Sequence, residues 1–544
     1  MSLITTLARM EAVRDGRARP VATVRHRHLS DRPLVFVPLT TAGEAGAPLG
    51  ALVGTERDAP RLLAVAQPRD RDLRFAFLAE LAEVVLPHLD SYADDVDLEE
   101  RKETDPETGQ KVPVQVELCA DAPQLLVPSG PGVEFVRLLG RSMRFRRTAE
   151  QDPETPFPAP ARVPLLGRWL THYGERSRVP GSSLLQSMTD LLTRHWATGQ
   201  SNLEDQHLGA LLAWIDPPDG ARGDAAALRA ESERDAAGQL LCPPAGPATD
   251  PAFDNKLLAP AMARYDAARM AAAGAVDGAR AERHQAELHR AEAEIRELIA
   301  AQLRPTWDAV WHGLDLLRDL PEGARVAERW KRDRWSYTGH RDRVRAGEPP
   351  QPKRDDAVTA AQKLAARETA QAQLEAQEAL DDPLVMAGRR LAGEAFAGEV
   401  TEVVMAWSEA RVPRPRPLVT VRTGDRPYLG VGVKLYRATA DGRTQTGEFA
   451  GHAEPDDPDA PDEGAEGAGG GLVVRLTGGM GRGKTPEPGS VPEPGDLVCW
   501  TLFEHAPRGG PELPDPEATP WTHGGPPDAA AAQAPDPVSE EDFL

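Results

Sequence analysis

Apolar positions in the first 150 residues change period several times. Leu3, Leu7, Met10 and Val13 recur at helical spacing, which predicts a helix over 2–14. Short apolar runs follow at Val21–Leu29, Leu34–Leu39, Leu49–Val53 and Leu62–Ala66, broken by Gly and Pro, and read as strands. Over 70–89 the spacing lengthens again. Leu73, Phe77, Leu81, Val84 and Val85 form one stripe, predicting a helix laid across the sheet. A charged hairpin from Glu99 to Lys111 turning at Thr108-Gly109, strands at Val112–Leu118 and Gln124–Val127, and a helix from Val133 to about Arg146 complete an α/β module over 1–150.

The prolines between Pro153 and Pro164 predict a linker, and a domain boundary is expected over 151–162. Helices at Leu165–Tyr173, Leu184–Trp196 and Leu203–Ile215 are expected in a helical block over 163–255, whose polar end from 216 reads as loop or frayed helix. Residues 256–393 read as long helices. Ala281, His284, Leu288, Ala291, Ile295 and Leu298 keep a 3–4 spacing for less than three heptads, which favours an intramolecular helical hairpin over a coiled-coil dimer. The Ala/Gln/Glu-rich stretch Asp356–Ala379 is the expected returning arm, ended by Asp382-Pro383 and followed by a short helix over Leu384–Gly393.

Beyond it the period becomes two. Runs beginning at Gly398, Pro417, Val431, Leu472 and Asp496 predict five strands of a small closed or half-closed β-barrel over 394–508. The acidic, Gly-rich interval 454–471 is expected to be a disordered loop, and 509–544 a disordered acidic tail. The predicted class is therefore α+β and multi-domain.

Composition sharpens this picture. The 544 residues hold 85 acids against 63 bases, a formal charge of −22, together with 51 Pro and 48 Gly, so long stretches cannot be core. Seven acids and no base fall within 454–466, and eight acids and no base from 512 onward, so most of the excess negative charge lies in two segments. The rest is only mildly acidic. No run of 18 apolar residues exists and the N-terminus lacks the pattern of a secretory signal, so no membrane span is expected. Three distant cysteines, Cys119, Cys242 and Cys499, exclude a disulfide scaffold and a Cys-based zinc site, and a reducing cytoplasm is the expected setting.

Candidate chemistry is sparse. Gly478-Gly-Met-Gly-Arg-Gly483-Lys484-Thr485 fits the phosphate-loop pattern, with Gly483, Lys484 and Thr485 as nucleotide-binding candidates. That chemistry needs a helix whose first N–H groups hold the phosphates. The prolines at 486, 488, 492 and 494 exclude one, so a glycine-rich hairpin between barrel strands is expected instead. Arg25-His-Arg-His28 reads as a basic surface strand without a third ligand for a metal. No catalytic residues, metal site or cofactor are expected.

Residues 325–345 stand out: eight Lys/Arg against three acids, interleaved with Trp330, Trp335 and Tyr337. Cations attract phosphates and aromatic faces stack on unpaired bases, so Arg329, Trp330, Lys331, Arg332 and Trp335 are candidate contacts to single-stranded nucleic acid. Arg141, Arg144 and Arg146, around Phe145, form a second candidate patch. The alternative is that the Trp residues face the core and the charges a solvated face.

The helix–strands–helix order of 1–89 is also the outline of the PD-(D/E)xK nuclease core, in which an Asp on one central strand and a D/E-x-K on the next hold magnesium. Leu49-Gly-Ala-Leu-Val-Gly54 and Leu62-Leu-Ala-Val-Ala-Gln-Pro68 carry neither the carboxylates nor the lysine. In the C-terminal part, Gly398-Glu-Val-Thr, Pro417-Leu-Val-Thr-Val and Pro494-Gly-Asp-Leu-Val resemble strand signatures of the small OB-like β-barrels in Upf1-like superfamily 1 helicases. The resemblance covers the barrel alone and brings no helicase motor. It implies a helicase-associated accessory protein. The closing Pro537-Val-Ser-Glu-Glu-Asp-Phe-Leu544 is similar to the partner-binding tails of bacterial single-stranded DNA-binding proteins, which implies capture by a partner.

The expected function is a non-enzymatic scaffold that binds nucleic acid or a partner, acting with an ATPase or helicase in DNA repair or antiviral defence against foreign DNA. The alternatives are an enzyme, hydrolysing nucleotides at 478–485 or nucleic acid through the N-terminal module, and a structural assembly protein.

Overall fold

A computed structural model describes residues 3–104, 109–274, 278–350, 357–439, 442–453 and 471–507. The tail expected from 509, and the loop expected over 454–471 except Gly471, lie outside the described residues. The described residues form two compact units, one within 8–20 and 24–364, the other within 3–7, 21–23 and 365–507.

The larger unit contains, in chain order, α1 (Leu3–Asp15, from residue 8), β1 (Arg19–Pro20), β2 (Leu34–Thr40), β3 (Pro48–Gly54), β4 (Arg61–Ala64), α2 (Arg71–Asp90), β5 (Val96–Thr104), β6 (Lys111–Cys119) and β7 (Leu125–Val127). It continues with α3 (Gly130–Met143), α4 (Val163–Arg176), β8 (Leu185–Ser187), α5 (Met188–Thr193), β9 (Trp196–Ala197), α6 (Leu208–Ile215) and α7 (Gly223–Ser232). Last come α8 (Pro251–Phe253), α9 (Ala259–Ala273), α10 (Gly278–Arg318) and α11 (Val326–Arg345).

A five-stranded sheet in the order β4-β3-β2-β7-β8 is its centre. The neighbours β2, β3 and β4 are antiparallel, whereas β7 runs parallel to both β2 and β8. Along β2, Val35, Val37 and Leu39 face one core while Leu34 and Phe36 face another, the two-residue alternation of a strand covered on both sides. The first core is closed by Leu208, Leu211 and Trp214 of α6 with Ile295, Ile299, Trp307 and Leu314 of α10. Phe77, Leu81 and Val85 of α2, Phe135 of α3, Trp169 of α4 and Trp330 and Tyr337 of α11 close the second. The result is helices, sheet, helices.

Several expectations change here. Leu3, Leu7, Met10 and Val13 of α1 are exposed; Ala8 and Ala12 are the buried positions. Val21–Leu29 forms no strand, because its backbone bonds elsewhere: Arg25 N–H donates to Pro321 O at 2.6 Å and His28 N–H to Ser183 Oγ at 3.2 Å. Leu184–Trp196 is not one helix. Its first residues join the sheet as β8, and α5 starts where the Ser187 hydroxyl accepts the N–H of Asp190 at 3.1 Å. The pairing of β7 with β8 spans the proline-rich segment, so 151–162 lies inside one unit rather than between two. The arm returning along α10 is α9, tied to it by Arg264 and Glu294 at 2.5 Å, and not the helix expected at 356–379.

Helices α3 and α4 meet through reciprocal glycines. A Cβ at Gly140 would stand 2.5 Å from the Thr171 amide nitrogen, and one at Gly167 2.5 Å from that of Arg144. Both contacts are to backbone, so neither neighbour can rotate away.

The smaller unit has α12 (Ala357–Asp381, from residue 365), α13 (Pro383–Leu391), β10 (Ala395–Val404), β11 (Leu418–Arg422), β12 (Lys434–Ala438), β13 (Thr444–His452), β14 (Gly471–Gly478) and β15 (Leu497–Thr501). The Asp382 carboxylate accepts the Leu384 N–H at 2.9 Å at the start of α13. The strands close an antiparallel barrel in the order β10-β11-β14-β13-β12-β15, with β15 paired back to β10. Phe396, Val400, Val421, Phe449, Val474 and Trp500 fill its interior. Sequence predicted five strands; the sixth, β13, reads Thr-Gln-Thr-Gly-Glu-Phe-Ala-Gly-His and hides its inward face behind Gln445 and Gly447.

No helix among the described residues is long and apolar enough to cross a membrane.

Candidate nucleic-acid interface

The basic, aromatic run becomes α11, whose side chains are largely committed within the larger unit. Arg329 is buried and donates from Nη2 to His26 O at 3.0 Å. Trp330 is buried too, its Nε1 donating to Asp121 Oδ1 at 2.8 Å. Lys331 Nζ holds both oxygens of Glu99, at 2.6 and 2.7 Å, and Arg334 Nη2 pairs with Asp97 at 2.8 Å. Half-buried Arg332 is also engaged inside the chain. Trp335 lies under Arg101, whose Cζ is 6.0 Å from the ring centroid. Burial withdraws Arg329 and Trp330 from the surface assigned to them by sequence, and the acids of the β5–β6 ribbon neutralise much of the rest. The cleft of about 880 Å³ between ribbon and helix is accordingly mixed: Glu99, Glu100, Glu117 and Asp342 line it with Arg101, Lys331 and Arg341. Such a surface lacks the positive field that gathers phosphates.

The second patch is also internal. Arg144 is buried, with its guanidinium 4.6 Å from the Phe145 ring centroid. Arg146 donates from Nε to Ser142 O at 3.1 Å and lies 5.2 Å from the Phe75 ring, while Arg141 is half-buried and partnered.

Residues 479–485 open the 479–496 connection from β14 to β15, and no helix follows them. These strands are not neighbours in the barrel, so the loop is no hairpin; it crosses the end of the barrel. Gly479 and Gly481 take φ of 79° and 87°, and the loop is fastened by Glu487 N–H to Met480 O at 2.9 Å. Its outer positions, Arg482, Gly483, Lys484 and Thr485, are exposed.

Register shows what shares that end. Val404 at the end of β10 pairs with Leu418, Arg475 near the end of β14 pairs with the same Leu418, Gly478 pairs with Thr446, and Ala438 pairs with Thr444. The segments 405–417 and 479–496 thus leave one rim, which Ala438 and Thr444 also border. The first is an ordered arm: Trp407 bridges to Pro415, Ser408 N–H donates to Arg414 O at 2.8 Å, and Arg416 N–H to Ala406 O at 2.7 Å. On it Trp407 is 53% exposed, and the guanidinium groups of exposed Arg411 and Arg414 have no acidic partner among the described residues. Neither have Arg482 and Lys484 on the loop.

Sequence reasoning missed this arm. Its signal was Trp407 followed by Arg411, Arg414 and Arg416 alternating with prolines, which hold the chain extended and deny it a helix.

Among the described residues no group of three or more His, Cys, Asp or Glu is placed to hold a metal ion, and all three cysteines are free thiols. No protein family, curated protein or solved structure matches this chain.

Proposed function

We propose that this protein is a non-enzymatic scaffold whose barrel rim binds single-stranded nucleic acid. Its setting in this reading is the cytoplasm, beside an ATPase or helicase acting in repair or in defence against foreign DNA. The acidic tip ending at Leu544, outside the described residues, is the element offered to a protein partner.

The observation that carries the reading is the arm over 405–417. An exposed indole stands there with guanidinium groups that have no acidic partner among the described residues, the pairing that accommodates a base face and the phosphates on either side of it. Small barrels of the OB type bind oligonucleotides through such loops. Arg482 and Lys484 place two further cations without acidic partners among the described residues on the same rim, and this gives the phosphate-loop-like sequence a role without a bound nucleotide.

The test is binding of a fluorescent single-stranded oligonucleotide by the full chain and by the Trp407→Ala, Arg411→Ala, Arg414→Ala triple variant. A loss of affinity of at least about tenfold, with the thermal midpoint unchanged, is expected. Equal affinity of the two proteins overturns the assignment.

A further inference from the structure

The barrel has a seam. β12 and β15 share a single paired position, Tyr436 with Thr501, and beside it lies a cavity of about 430 Å³. Arg437, Asp496, Cys499 and Thr501 line it, with Leu380 and Met386 as an apolar wall. The guanidinium of Arg437 has no hydrogen-bond or ion-pair partner among the described residues, and its Nε is shielded from solvent. Its Cζ lies 5.6 Å from the Trp500 ring centroid. Asp496, the one acid in the lining, accepts the Glu493 N–H at 2.9 Å and makes no ion pair with Arg437.

Burial opposes the charge on Arg437, lowering its pKa from the ordinary arginine value, while Asp496 acts the other way. A half-buried cation without an acceptor is costly to hold. An oxyanion entering the cavity would relieve that cost through the guanidinium fork. The volume falls in the range of small-ligand sites, room for one nucleotide rather than for a strand running through. Arg437 stands next to Ala438 at the end of β12 and Asp496 ends the 479–496 segment, so the cavity reaches the rim already described.

We propose that this cavity receives a terminal phosphate of the strand held on the rim, with Arg437 pairing to the phosphate oxygens and the attached nucleoside resting on Leu380 and Met386. This rests on the reading of the rim as a nucleic-acid site. A phosphate monoester could equally arrive on a free mononucleotide, and the experiment separates the two sources.

The full chain is titrated with a single-stranded oligonucleotide carrying a 5′-phosphate, with the same oligonucleotide carrying a 5′-hydroxyl, and with a nucleoside monophosphate. The phosphorylated strand is expected to bind about tenfold more tightly, the worth of one charge-assisted hydrogen-bond pair. Arg437→Gln should abolish that preference and leave the hydroxyl strand's affinity unchanged. Equal binding of the two strands by the unaltered protein overturns the proposal while the rim reading stands. If neither strand binds but the mononucleotide does, and Arg437→Gln removes it, the cavity is a free-nucleotide site: the terminal-phosphate proposal and the rim reading both fall. Because the decisive comparison uses the unaltered chain, it survives a variant that does not fold.

Discussion

The imidazole of His28 and the indole of Trp330 are stacked, with ring centroids 4.0 Å apart and planes within 18°. Trp330 thus fastens α11 to the segment before β2. Trp330→Ala removes this stack, the bond to Asp121 and the filling of the second core. We expect a loss of about 3–5 kcal/mol, read as a lower midpoint in urea unfolding, with no specific loss of nucleic-acid affinity in the protein that remains folded. A selective loss of binding at unchanged stability would restore Trp330 to the interface.

Asp333 is the polar counterpart of that anchor. Fully buried, it accepts from Arg176 Nη2 at 2.8 Å, the Ser182 hydroxyl at 2.8 Å and the Ser183 N–H at 2.6 Å. Asp333→Ala strands these donors, and a cost of about 3 kcal/mol or more is expected in chemical denaturation. Asp333→Asn, which retains the shape and an acceptor, should cost less. A midpoint unmoved by either change would mean that the cluster contributes nothing net.

Acid should weaken the larger unit through its buried histidines. His195 Nδ1 donates to Leu191 O at 2.7 Å while Nε2 accepts the His26 N–H at 3.4 Å, so both ring nitrogens are used in the neutral form. Burial pushes His195 and His88 down to about 4; burial, aided by Arg343 and Arg168, pushes His340 down to about 3. The unfolded chain titrates these groups near 6.5 and therefore binds more protons than the folded one below that pH. Their stabilisation is complete above about pH 6.5 and is lost as pH falls toward 4, by about 1.4 kcal/mol per unit for each histidine. Urea midpoints measured from pH 7.5 to 5 should fall; a rise on acidification would refute the neutral, buried state.

Strand binding on the proposed rim should leave a signature in salt. A plot of log affinity for single-stranded nucleic acid against log salt should become shallower by roughly 0.7 for each of Arg411→Ala, Arg414→Ala and Lys484→Ala. The same change at Lys331, which Glu99 already neutralises, should leave the slope unaltered. Slopes that change at Lys331 and not on the rim would move the interface back to α11.

At the crossing of α3 and α4, Gly140→Ala and Gly167→Ala each push a methyl group into backbone. A loss of about 1–3 kcal/mol is expected for either, as a drop in thermal midpoint. Ala at Gly220, which has open space around it, tests only its φ of 74° and should cost less.

Much of the architecture was legible because period reports directly on burial. The strands β2 and β3, the helix α2 and most of the barrel follow from alternation or 3–4 spacing alone. The failures have local causes. β8 is three residues running straight into α5, too short to show a period of its own; β13 has Phe449 as its one large apolar residue, with Gln445 and Gly447 at its other buried positions; and Val21–Leu29 has strand-like residues but bonds to loops. The commitment of the basic run within the fold escaped the sequence for a different reason. Composition reveals that Lys331 and Arg334 are basic, but not that Glu99 and Asp97, over two hundred residues earlier, sit opposite them. On the arm the same residue types have no such partners among the described residues, which becomes visible only once the barrel is closed.

Closure of the barrel between β10 and β15 also sets an order of events during synthesis. On a chain emerging from the ribosome, the sheet of the larger unit has all its strands long before Leu497 is made, whereas β10 must wait for the last strand before its edge is paired. The rim and the seam cavity come into being only with that pairing. A product released before Leu497 would carry the larger unit's sheet without a closed barrel, so the rim and the seam cavity exist only in chains that extend through β15.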